Sequence, residues 1–312
     1  LIGGAGSSSG EVFSAGAMGR VKIAGDVLGG RGSNSGFIDT FSTLAKVTIG
    51  GSLVGGQAFQ SGEILVFGDA GPVKVRGDLI GGSISGTQPN LFDTGYIACN
   101  RIESVFIGGS IIAGIDDSTS GGLFKNASIR VNHDIGPIVV KGSLVGRTNA
   151  NGDSLVIIQA RGQQTLQPGA TEDLAISSLS VGGEVRNARI LAGFDSVLNP
   201  ANADASIGAV EIGGKWTASS LAAGVRDSGG DGFGINDALQ TTSDDPALVA
   251  RIASIVIKGI VAGSAASGDH FGFVAQQIGS FKSRGFTAAL TAGTDAPIEL
   301  SPITGDVTLR EI

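Results

Sequence analysis

A short sequence motif, called the phrase below, recurs along the whole length of this chain and limits the folds that the chain can adopt. Its clearest copy is VTIGGSLVGG at residues 47–56, and successive copies lie 26 to 45 residues apart. Self-similarity at such spacings indicates a repeat architecture in which each unit stacks on its neighbours. The copies begin at Val21, Val47, Val73, Val105, Ile138, Leu179, Val210, Ile255, Phe281 and Val307.

Within each copy the apolar residues fall on every second position, with one glycine between them. In the second copy these are Val47, Ile49, Gly51 and Leu53. Alternation rich in Val and Ile predicts short strands with one buried face. We interpret the glycine as a corner that requires positive φ. A third short apolar segment precedes the first residue of each copy, which we call its anchor. Each repeat therefore predicts one coil of three short strands in an all-β parallel β-helix of about ten coils.

Length and charge narrow the classes of protein further. The repeat runs through all 312 residues, which predicts a single β-solenoid domain over 1–312. Because the chain begins and ends inside copies of the phrase, we expect it to be a segment of a longer array. The net charge of −7 disfavours a nucleic-acid partner, which would select a basic face. No apolar run is long enough to span a bilayer, and the one cysteine, Cys99, is expected to be a small buried residue.

The middle repeats carry long insertions at 161–173, 193–206 and 224–248. All three follow the third strand of a coil and precede the next anchor. They should therefore emerge at the same corner and form a loop lobe within 161–250. Ser243 and Pro246 make a helix start signal, so a short helix is expected over 243–251.

The third insertion contains the candidate metal ligands Asp227, Asp231 and Asp237. Carboxylate oxygens close together in a Gly-rich loop are the ligand type that calcium prefers. Their spacing matches neither the EF-hand loop nor the nonapeptide calcium repeat, and we favour a plain solvated loop over a metal site. Calcium is the one cofactor that these residues suggest.

A second acidic pattern places an aspartate shortly after an Ala-Gly pair in four repeats. The residues are Asp116, Asp195, Asp227 and Asp295. They form either a row of carboxylates at one corner or side chains that accept local backbone N–H groups at turns. We favour the second interpretation.

Asp26 and Asp78 occupy equivalent outward positions two repeats apart. Carboxylate pairs at about 5 to 9.5 Å serve carbohydrate cleavage, and the strand spacing would place these two about 10 Å apart. No histidine or arginine joins their row. We therefore interpret both as ordinary surface residues beside the glycine position, and no catalytic residue is assigned.

The pattern Ile-x-x-Val-x-Ile-x-Gly-x-Leu-x-Gly-Gly resembles the right-handed, single-stranded parallel β-helix repeats of large secreted and surface-attached bacterial proteins, such as adhesins and autotransporter-like passengers. The resemblance covers essentially the whole chain and implies an extracellular or cell-surface location. Pectate-lyase-like and polygalacturonase-like enzymes share this fold. Their Asn-Thr-Asp, Gly-His-Gly and Arg-x-Lys type motifs are absent from this sequence.

These observations favour a structural or adhesive, non-enzymatic segment of a larger bacterial repeat protein. Its expected partners are carbohydrate or a surface protein, together with neighbouring repeats of the same chain. The alternative is a β-helix that binds or cleaves polysaccharide beside the 161–250 lobe, as a polysaccharide lyase or glycoside hydrolase would. A self-assembling filament segment is the second alternative. Fold alone does not decide among them.

Overall fold

The computed structural model describes residues 1–149, 152–166 and 168–312, and it is an all-β structure with large parallel sheets. No helix occurs in these ranges. In particular, the described residues contain no helix that is long and apolar enough to cross a membrane. The chain divides into two compact units: unit 1 is 1–130 with 139–157, and unit 2 is 131–138 with 158–312.

The strands are short, with two to nine residues each. In chain order the first nineteen are β1 (Glu11–Ser14), β2 (Met18–Ile23), β3 (Val27–Leu28), β4 (Phe37–Thr40), β5 (Leu44–Ile49), β6 (Leu53–Val54), β7 (Ser61–Val66), β8 (Asp69–Ala70), β9 (Val73–Val75), β10 (Leu79–Ile80), β11 (Ile84–Gly86), β12 (Leu91–Cys99), β13 (Arg101–Ile102), β14 (Val105–Ile107), β15 (Ile111–Ile112), β16 (Asp116–Ser118), β17 (Leu123–Val131), β18 (Ile135–Val140) and β19 (Leu144–Val145). The others are β20 (Val156–Ala160), β21 (Asp173–Val181), β22 (Val185–Arg186), β23 (Ala188–Ala192), β24 (Ala205–Ile212), β25 (Trp216–Thr217), β26 (Ser220–Ala223), β27 (Val225–Asp227), β28 (Asp237–Leu239), β29 (Arg251–Ile257), β30 (Val261–Ala262), β31 (Phe271–Ala275), β32 (Gln277–Ile278), β33 (Phe281–Ser283), β34 (Phe286–Thr287), β35 (Ile298–Glu299) and β36 (Val307–Glu311).

Unit 1 is built from three sheets in which equivalent strands of successive repeats lie side by side. Their orders are β1-β4-β7-β12-β17, β3-β6-β10-β15-β19 and β13-β8-β5-β9-β14, with β2 beside β5. The neighbours run parallel, as in β1–β4, β6–β10 and β5–β9. A small parallel pair, β11–β16, lies in the loops of this unit.

Unit 2 repeats the arrangement with the orders β20-β23-β26-β31-β36-β35, β22-β25-β30 and β21-β24-β29-β33-β34, with β32 beside β29. The last strand of two of these orders is antiparallel to its neighbour: β34 pairs with β33, and β35 pairs with β36. The third insertion forms its own antiparallel hairpin, β27–β28.

The strand register confirms the predicted apolar rows. In unit 1, Val47 lies between Val21 and Val73 on the neighbouring strands. In unit 2, Val210 pairs with Leu179 and Ile255. Apart from Val21, which is only partly buried, these side chains are almost completely buried and form the cores between the sheets. Cys99 is buried as well.

The interpretation of the glycine row as a positive-φ corner is wrong for every copy except the ninth, in which Gly285 has a φ of +73°. Gly51 is not among the residues with positive φ. A Cβ at this position would instead lie 2.0 Å from Asp26 Oδ1, which accepts the backbone N–H of Ser52 at 2.7 Å. The glycine therefore makes room for a polar contact from the preceding repeat. The same ladder continues with Ser52 Oγ accepting from Asp78 N (3.0 Å), Asp78 Oδ1 from Ser110 N (2.6 Å) and Ser110 Oγ from Ser143 N (3.0 Å).

In unit 1, positive φ occurs at a different position of each repeat. Asn34 and Gly36 have φ of 56° and 59°, and the equivalent Gln60 and Gly62 have 52° and 63°. The residue between each pair points its side-chain oxygen at the backbone. This gives a ladder of buried or partly buried acceptors, in which Ser35 Oγ accepts from Gly30 N (2.8 Å), Ser61 Oγ from Gly56 N (3.0 Å), Thr94 Oγ1 from Gly82 N (3.1 Å) and Asn126 Oδ1 from Gly114 N (2.7 Å).

The tenth copy of the phrase is not a tenth anchor. Val307 pairs with Phe271 of β31, so β36 belongs to the sheet of the third strands and not to the sheet of the anchors. After the ninth anchor, Phe281, the chain turns back at Gly285, which has a φ of +73°. The repeated order of strands therefore changes after β33.

The short helix expected over 243–251 is also absent, because side chains and turns satisfy the backbone there. Asp245 N donates to Asp204 Oδ2 at 3.0 Å, and Ala247 N donates to Asp245 Oδ1 at 2.9 Å. Leu248 N donates to the Asp245 carbonyl at 2.8 Å. Only turns form in this segment.

The second and third insertions pack on the outer side of one sheet of unit 2. Leu191, Ala222 and Val274 lie in register on β23, β26 and β31. Residues of the insertions cover them and form a second apolar cluster. The covering residues are Phe194, Val225 and Phe233, with Leu198 and Leu239 partly buried against them.

Candidate functional site

Unit 2 contains a polar pocket beside its insertions, with a cavity volume of about 310 Å³. We call it the lobe pocket. Its walls come from the chain before β18, from all three insertions and from the start of β21. The lining residues are His133, Arg161, Gly162, Gln163, Gln164, Leu166, Asp173, Asn202, Asp204 and Ser243.

Asp173 is the most tightly held carboxylate of the lobe pocket. It begins β21 and is only 4% exposed. Its Oδ1 accepts the backbone N–H of Gln163 at 2.7 Å, and its Oδ2 accepts Nδ2 of Asn202 at 2.7 Å. Burial raises the pKa of Asp173, these two hydrogen bonds lower it in part, and the charge of Asp134 raises it further. The result is a fixed acceptor with an increased affinity for a proton.

Asn202 ties the walls of the pocket together. Its Nδ2 also donates to the Arg161 carbonyl at 3.1 Å, and its Oδ1 accepts the backbone N–H of Asp204 at 3.1 Å. The backbone N–H of Asn202 donates to Gln240 Oε1 at 3.0 Å, and Gln240 Nε2 donates to the Val225 carbonyl at 3.0 Å. The side chain and backbone of Asn202, together with the Gln240 amide, thereby link all three insertions and hold the pocket in one geometry.

Asp204 supplies the second carboxylate. It immediately precedes Ala205, the first residue of β24, which pairs with Asp173 of β21, so the two aspartates lie at the starts of neighbouring strands. Burial raises the pKa of Asp204, the N–H of Asp245 lowers it, and the nearby acidic side chains, Asp173 among them, raise it again. Burial thus raises the proton affinity of both carboxylates, and such shifted carboxylates are typical of sites that bind or protonate a ligand.

Gly162 allows the backbone to approach these groups. Its φ of +132° is rare for residues with a side chain, and an added Cβ would lie 2.1 Å from Asn202 Nδ2. Its N–H donates to the His133 carbonyl at 3.1 Å, which places His133 and the neighbouring Arg161 at the same wall. The lobe pocket thus combines carboxylate and amide acceptors with cationic and amide donors.

The predicted calcium ligands lie elsewhere in the lobe. Asp227 and Asp237 face each other across the β27–β28 hairpin. Asp227 Oδ1 and Oδ2 accept the N–H groups of Gly230 (2.7 Å) and Gly232 (2.9 Å), and Asp237 Oδ2 accepts Gly234 N (2.7 Å). No group of three or more His, Cys, Asp or Glu side chains suited to a metal is found among the described residues. Calcium binding stays a prediction.

Burial raises the pKa of Asp237 to about 6. The Gly234 N–H and the Arg310 cation lower it, and the Asp227 and Asp231 carboxylates raise it. The three predicted ligands therefore act on one another electrostatically, and the carboxyl of Asp237 is 6% exposed.

The aspartates that follow the Ala-Gly pairs bond to local backbone, as the favoured interpretation predicts. Asp195 Oδ1 accepts from Val197 N (3.0 Å) and Asn199 N (2.8 Å). Asp295 Oδ2 accepts from Thr291 N at 2.6 Å. These residues stabilise turns and do not form a common carboxylate site.

The sequence predicts the region of the lobe pocket but not its residues. Asp173 and Asp204 were not singled out, although each lies six positions before an anchor, Leu179 or Val210. An acidic residue at the same position in two successive repeats is the signal that could have found them. Asn202 has no such signal, because its role depends on loop conformation.

Unit 1 has a different exposed feature, a row of phenylalanines. Phe13, Phe41 and Phe67 are 51%, 60% and 56% exposed, and they lie on successive repeats. Their ring centroids are 5.2 and 5.3 Å apart with edge-on geometry. Such an exposed apolar row is unusual on a protein surface.

The chain matches no protein-family model, no curated protein and no solved structure.

Proposed function

We propose that the chain forms a right-handed parallel β-helix of about ten coils, as the count of repeats suggests. It would be a segment of a larger extracellular or cell-surface bacterial protein with a structural and adhesive role. Its partners would be neighbouring repeats of the same chain and a polysaccharide that binds in the lobe pocket. No catalytic role is part of this proposal.

The strand register supports the β-helix. In both units, equivalent residues of successive repeats pair in parallel, and the three strands of each repeat enter three different sheets. Coil-to-coil contacts also use side chains, as in the contact of Asp26 Oδ1 with Ser52 N. A repeat of this kind cannot bury its apolar face alone, so its stability depends on stacking.

The single observation that carries the adhesive role is the chemistry of the lobe pocket. Sugar hydroxyls both donate and accept hydrogen bonds, and the pocket offers carboxylate acceptors on Asp173 and Asp204 and donors on Arg161. Because Asn202 holds these groups through its own hydrogen bonds, little conformational freedom is lost when a ligand binds. The volume of about 310 Å³ lies at the lower end for ligand sites. It suits a terminal sugar or one or two units of a chain.

Cleavage of the polysaccharide is the second candidate, and one observation favours it. Burial raises the pKa of both Asp173 and Asp204, as a general acid requires. Against this, both oxygens of Asp173 already accept hydrogen bonds from the protein. A carboxylate oriented by two protein donors can still accept a sugar hydroxyl through its remaining lone pairs, but it is poorly placed to attack carbon or to deliver a proton.

The proposal is tested by affinity electrophoresis and calorimetry against neutral, uronate-containing and amino-sugar polysaccharides. We expect binding to at least one class. Asp204→Asn keeps the acceptor for Asp245 N but removes the charge, and Asn202→Ala removes the central amide. In either variant, a polar group of the bound sugar loses its partner in the pocket. Such a loss costs about 1–3 kcal/mol, so the affinity for the polysaccharide should fall about 5- to 150-fold.

The matched control is Glu211→Gln, an exposed carboxylate on β24 outside the pocket. It should bind like the wild type. Equal weakening in the control would mean that net charge and not the pocket governs binding. Failure to bind any of the three classes in the folded protein would contradict the adhesive proposal.

Cleavage is separated from binding by incubating the wild type with each bound polysaccharide and measuring new reducing ends or unsaturated products. Products that disappear in both Asp173→Asn and Asp204→Asn would establish the second candidate. Binding without products would leave the adhesive role standing.

A further inference from the structure

Unit 1 contains a glutamate whose burial needs an explanation. Glu63 lies on β7 between Phe37 of β4 and Tyr96 of β12. It is 1% exposed, and within the described part of the chain its Oε2 has no hydrogen-bond partner. A buried, incompletely paired carboxyl group is costly, and such groups often mark a chemical role.

A lysine and an aspartate lie beside this glutamate. Lys125 Nζ is 3.7 Å from Asp93 Oδ1, and the side chains are 30% and 14% exposed. Asp93 Oδ1 is buried and accepts no hydrogen bond from any described residue. The charges of both Asp93 and Lys125 act on the Glu63 carboxyl, so the three groups share one site.

The backbone conformation keeps Asp93 and Lys125 together. Asp93 and Lys125 have φ of 55° and 49° at the same corner of successive coils, a conformation that is uncommon for residues with side chains. The residues just before them, Phe92 and Phe124, stack with centroids 4.7 Å apart and planes 15° apart. The register of β12 and β17 therefore presents the amine to the carboxyl in the folded state.

The surroundings favour the protonated, uncharged forms of the two carboxyl groups. Lys125 Nζ lies 5.9 Å from the centroid of the buried Tyr96 ring, which helps to hold the lysine side chain in place. Burial raises the pKa of Asp93, and the Lys125 and Arg130 cations offset this only in part. Burial also raises the pKa of Glu63 well above its usual value. The reacting forms are the neutral amine and the carboxylic acid, which arise together when the Lys125 proton passes to the Asp93 carboxylate.

We propose that Lys125 and Asp93 condense to an intramolecular isopeptide bond, with Glu63 as the acid–base group. Lys125 Nζ attacks Asp93 Cγ and forms the C–N bond. Glu63 donates a proton to the departing oxygen of Asp93 and regains one from the nitrogen. The C–O bond breaks, one water molecule leaves, and no oxidant or other reactant is required.

Two physical effects drive this condensation. Holding the amine against the carboxyl replaces an encounter between molecules by a reaction within one molecule. The amide product also removes the two charges of the partly buried Lys125–Asp93 pair. The product would tie the coil that contains β12 to the coil that contains β17. This modification is independent of the lobe pocket, which lies in unit 2.

Intact-mass spectrometry of the purified chain tests the proposal. The wild type should be lighter than its sequence by one water molecule. A tryptic digest should contain peptide 77–101 joined to peptide 102–130, with no cleavage after Lys125. Asp93→Ala and Lys125→Arg should have the full mass of their sequences. A wild-type chain of full mass, after prolonged incubation across neutral and mildly acidic pH, would overturn the proposal.

Matched controls are Asp69→Ala and Lys46→Arg, which change the same residue types elsewhere in unit 1 and should keep the mass deficit. Glu63→Gln tests the acid–base role. General acid–base catalysis contributes roughly 10²- to 10⁴-fold, so newly synthesised Glu63→Gln should acquire the link at least about 100-fold more slowly. Circular dichroism verifies that it is folded. Formation at the wild-type rate in this variant would overturn the role of Glu63.

Discussion

Replacing one glycine of the repeat with alanine tests the reason for the glycine row. In Gly51→Ala the new Cβ would lie 2.0 Å from Asp26 Oδ1 and 2.9 Å from Asp26 Cγ. The carboxylate must rotate away and lose the N–H of Ser52 at 2.7 Å. In Gly25→Ala, at the equivalent position of the preceding repeat, nothing lies within 4 Å of the new Cβ. Neither glycine has positive φ.

The magnitudes follow from these contacts. Overpacking costs about 1–3 kcal/mol, and loss of an exposed hydrogen bond adds about 0.5–1.5 kcal/mol. Any Gly→Ala change also restricts the unfolded chain, which stabilises the folded state by about 0.4–1 kcal/mol. We therefore expect Gly51→Ala to lower the free energy of unfolding by about 1–3 kcal/mol. Gly25→Ala should be neutral or should raise it by up to about 1 kcal/mol.

Urea unfolding followed by far-UV circular dichroism measures both variants. A double-mutant cycle with Asp26→Ala isolates the contact, because Gly51→Ala should cost much less once the Asp26 carboxylate is removed. Equal losses in Gly25→Ala and Gly51→Ala would refute the reasoning and point to backbone conformation. So would a Gly51→Ala variant as stable as the wild type.

Three further predictions concern unit 2. If Asp227, Asp231 and Asp237 bind calcium, adding it at 100 times its dissociation constant should raise the free energy of unfolding by about 2.7 kcal/mol; melting temperatures that are equal in calcium and in chelator would contradict this. In chelator, the raised folded-state pKa of Asp237, about 6, means that the folded protein holds a proton that the unfolded chain releases. Stability should therefore fall as the pH rises from about 4 to 6, and this slope should be smaller in Asp237→Asn. Trp216→Ala should cost about 3–5 kcal/mol, because the ring is completely buried and lies 4.8 Å from that of Phe273; denaturant unfolding that shows a change below about 1 kcal/mol would contradict a core role.

The apolar rows could be predicted because they are local and periodic. Val47 and Ile49 alternate with polar residues, and similar alternation recurs in most repeats, so position in the repeat decides which residues meet across strands. The polar ladders were harder to predict. The order Asp26, Ser52, Asp78 looks like ordinary surface, and only the coil-to-coil geometry shows that each side chain bonds the backbone of the next coil.

Val307 shows where periodicity misleads. Val307 and Leu309 repeat the alternation of an anchor strand, 26 residues after Phe281. Alternation reports that one face of a strand is buried, but it does not report which sheet receives the strand. The turn at Gly285 reverses the chain, and β36 then pairs with β31. Gly285, where the chain reverses direction, and Gly51, which makes room for the Asp26 side chain, occupy the same position of the repeat, so the sequence does not distinguish their roles.

The predicted helix fails for a related reason. Pro246 and the polar residues before it are compatible with a helix start, but Asp204, from the preceding insertion, accepts the N–H of Asp245. A tertiary hydrogen bond thus holds the segment in turns, against its local preference. The same bond fixes the carboxylate of Asp204 in the lobe pocket. Local sequence could not predict either outcome, because both depend on the meeting of two insertions.

The lobe pocket therefore depends on the lengths of the insertions as much as on their residues. Asn202 reaches Arg161 and Asp173 from one side and Gln240 from the other, so each insertion positions a group in another one. Shortening any one insertion should disturb the other two, whereas shortening a loop between compact coils of unit 1 should act locally. A deletion within 193–198 would leave Asn202 in the chain but alter its position. Polysaccharide binding should be lost in that variant, and the paired strands β21 and β24 should stay protected from hydrogen exchange. Binding that survives this deletion would show that the pocket does not need its central amide.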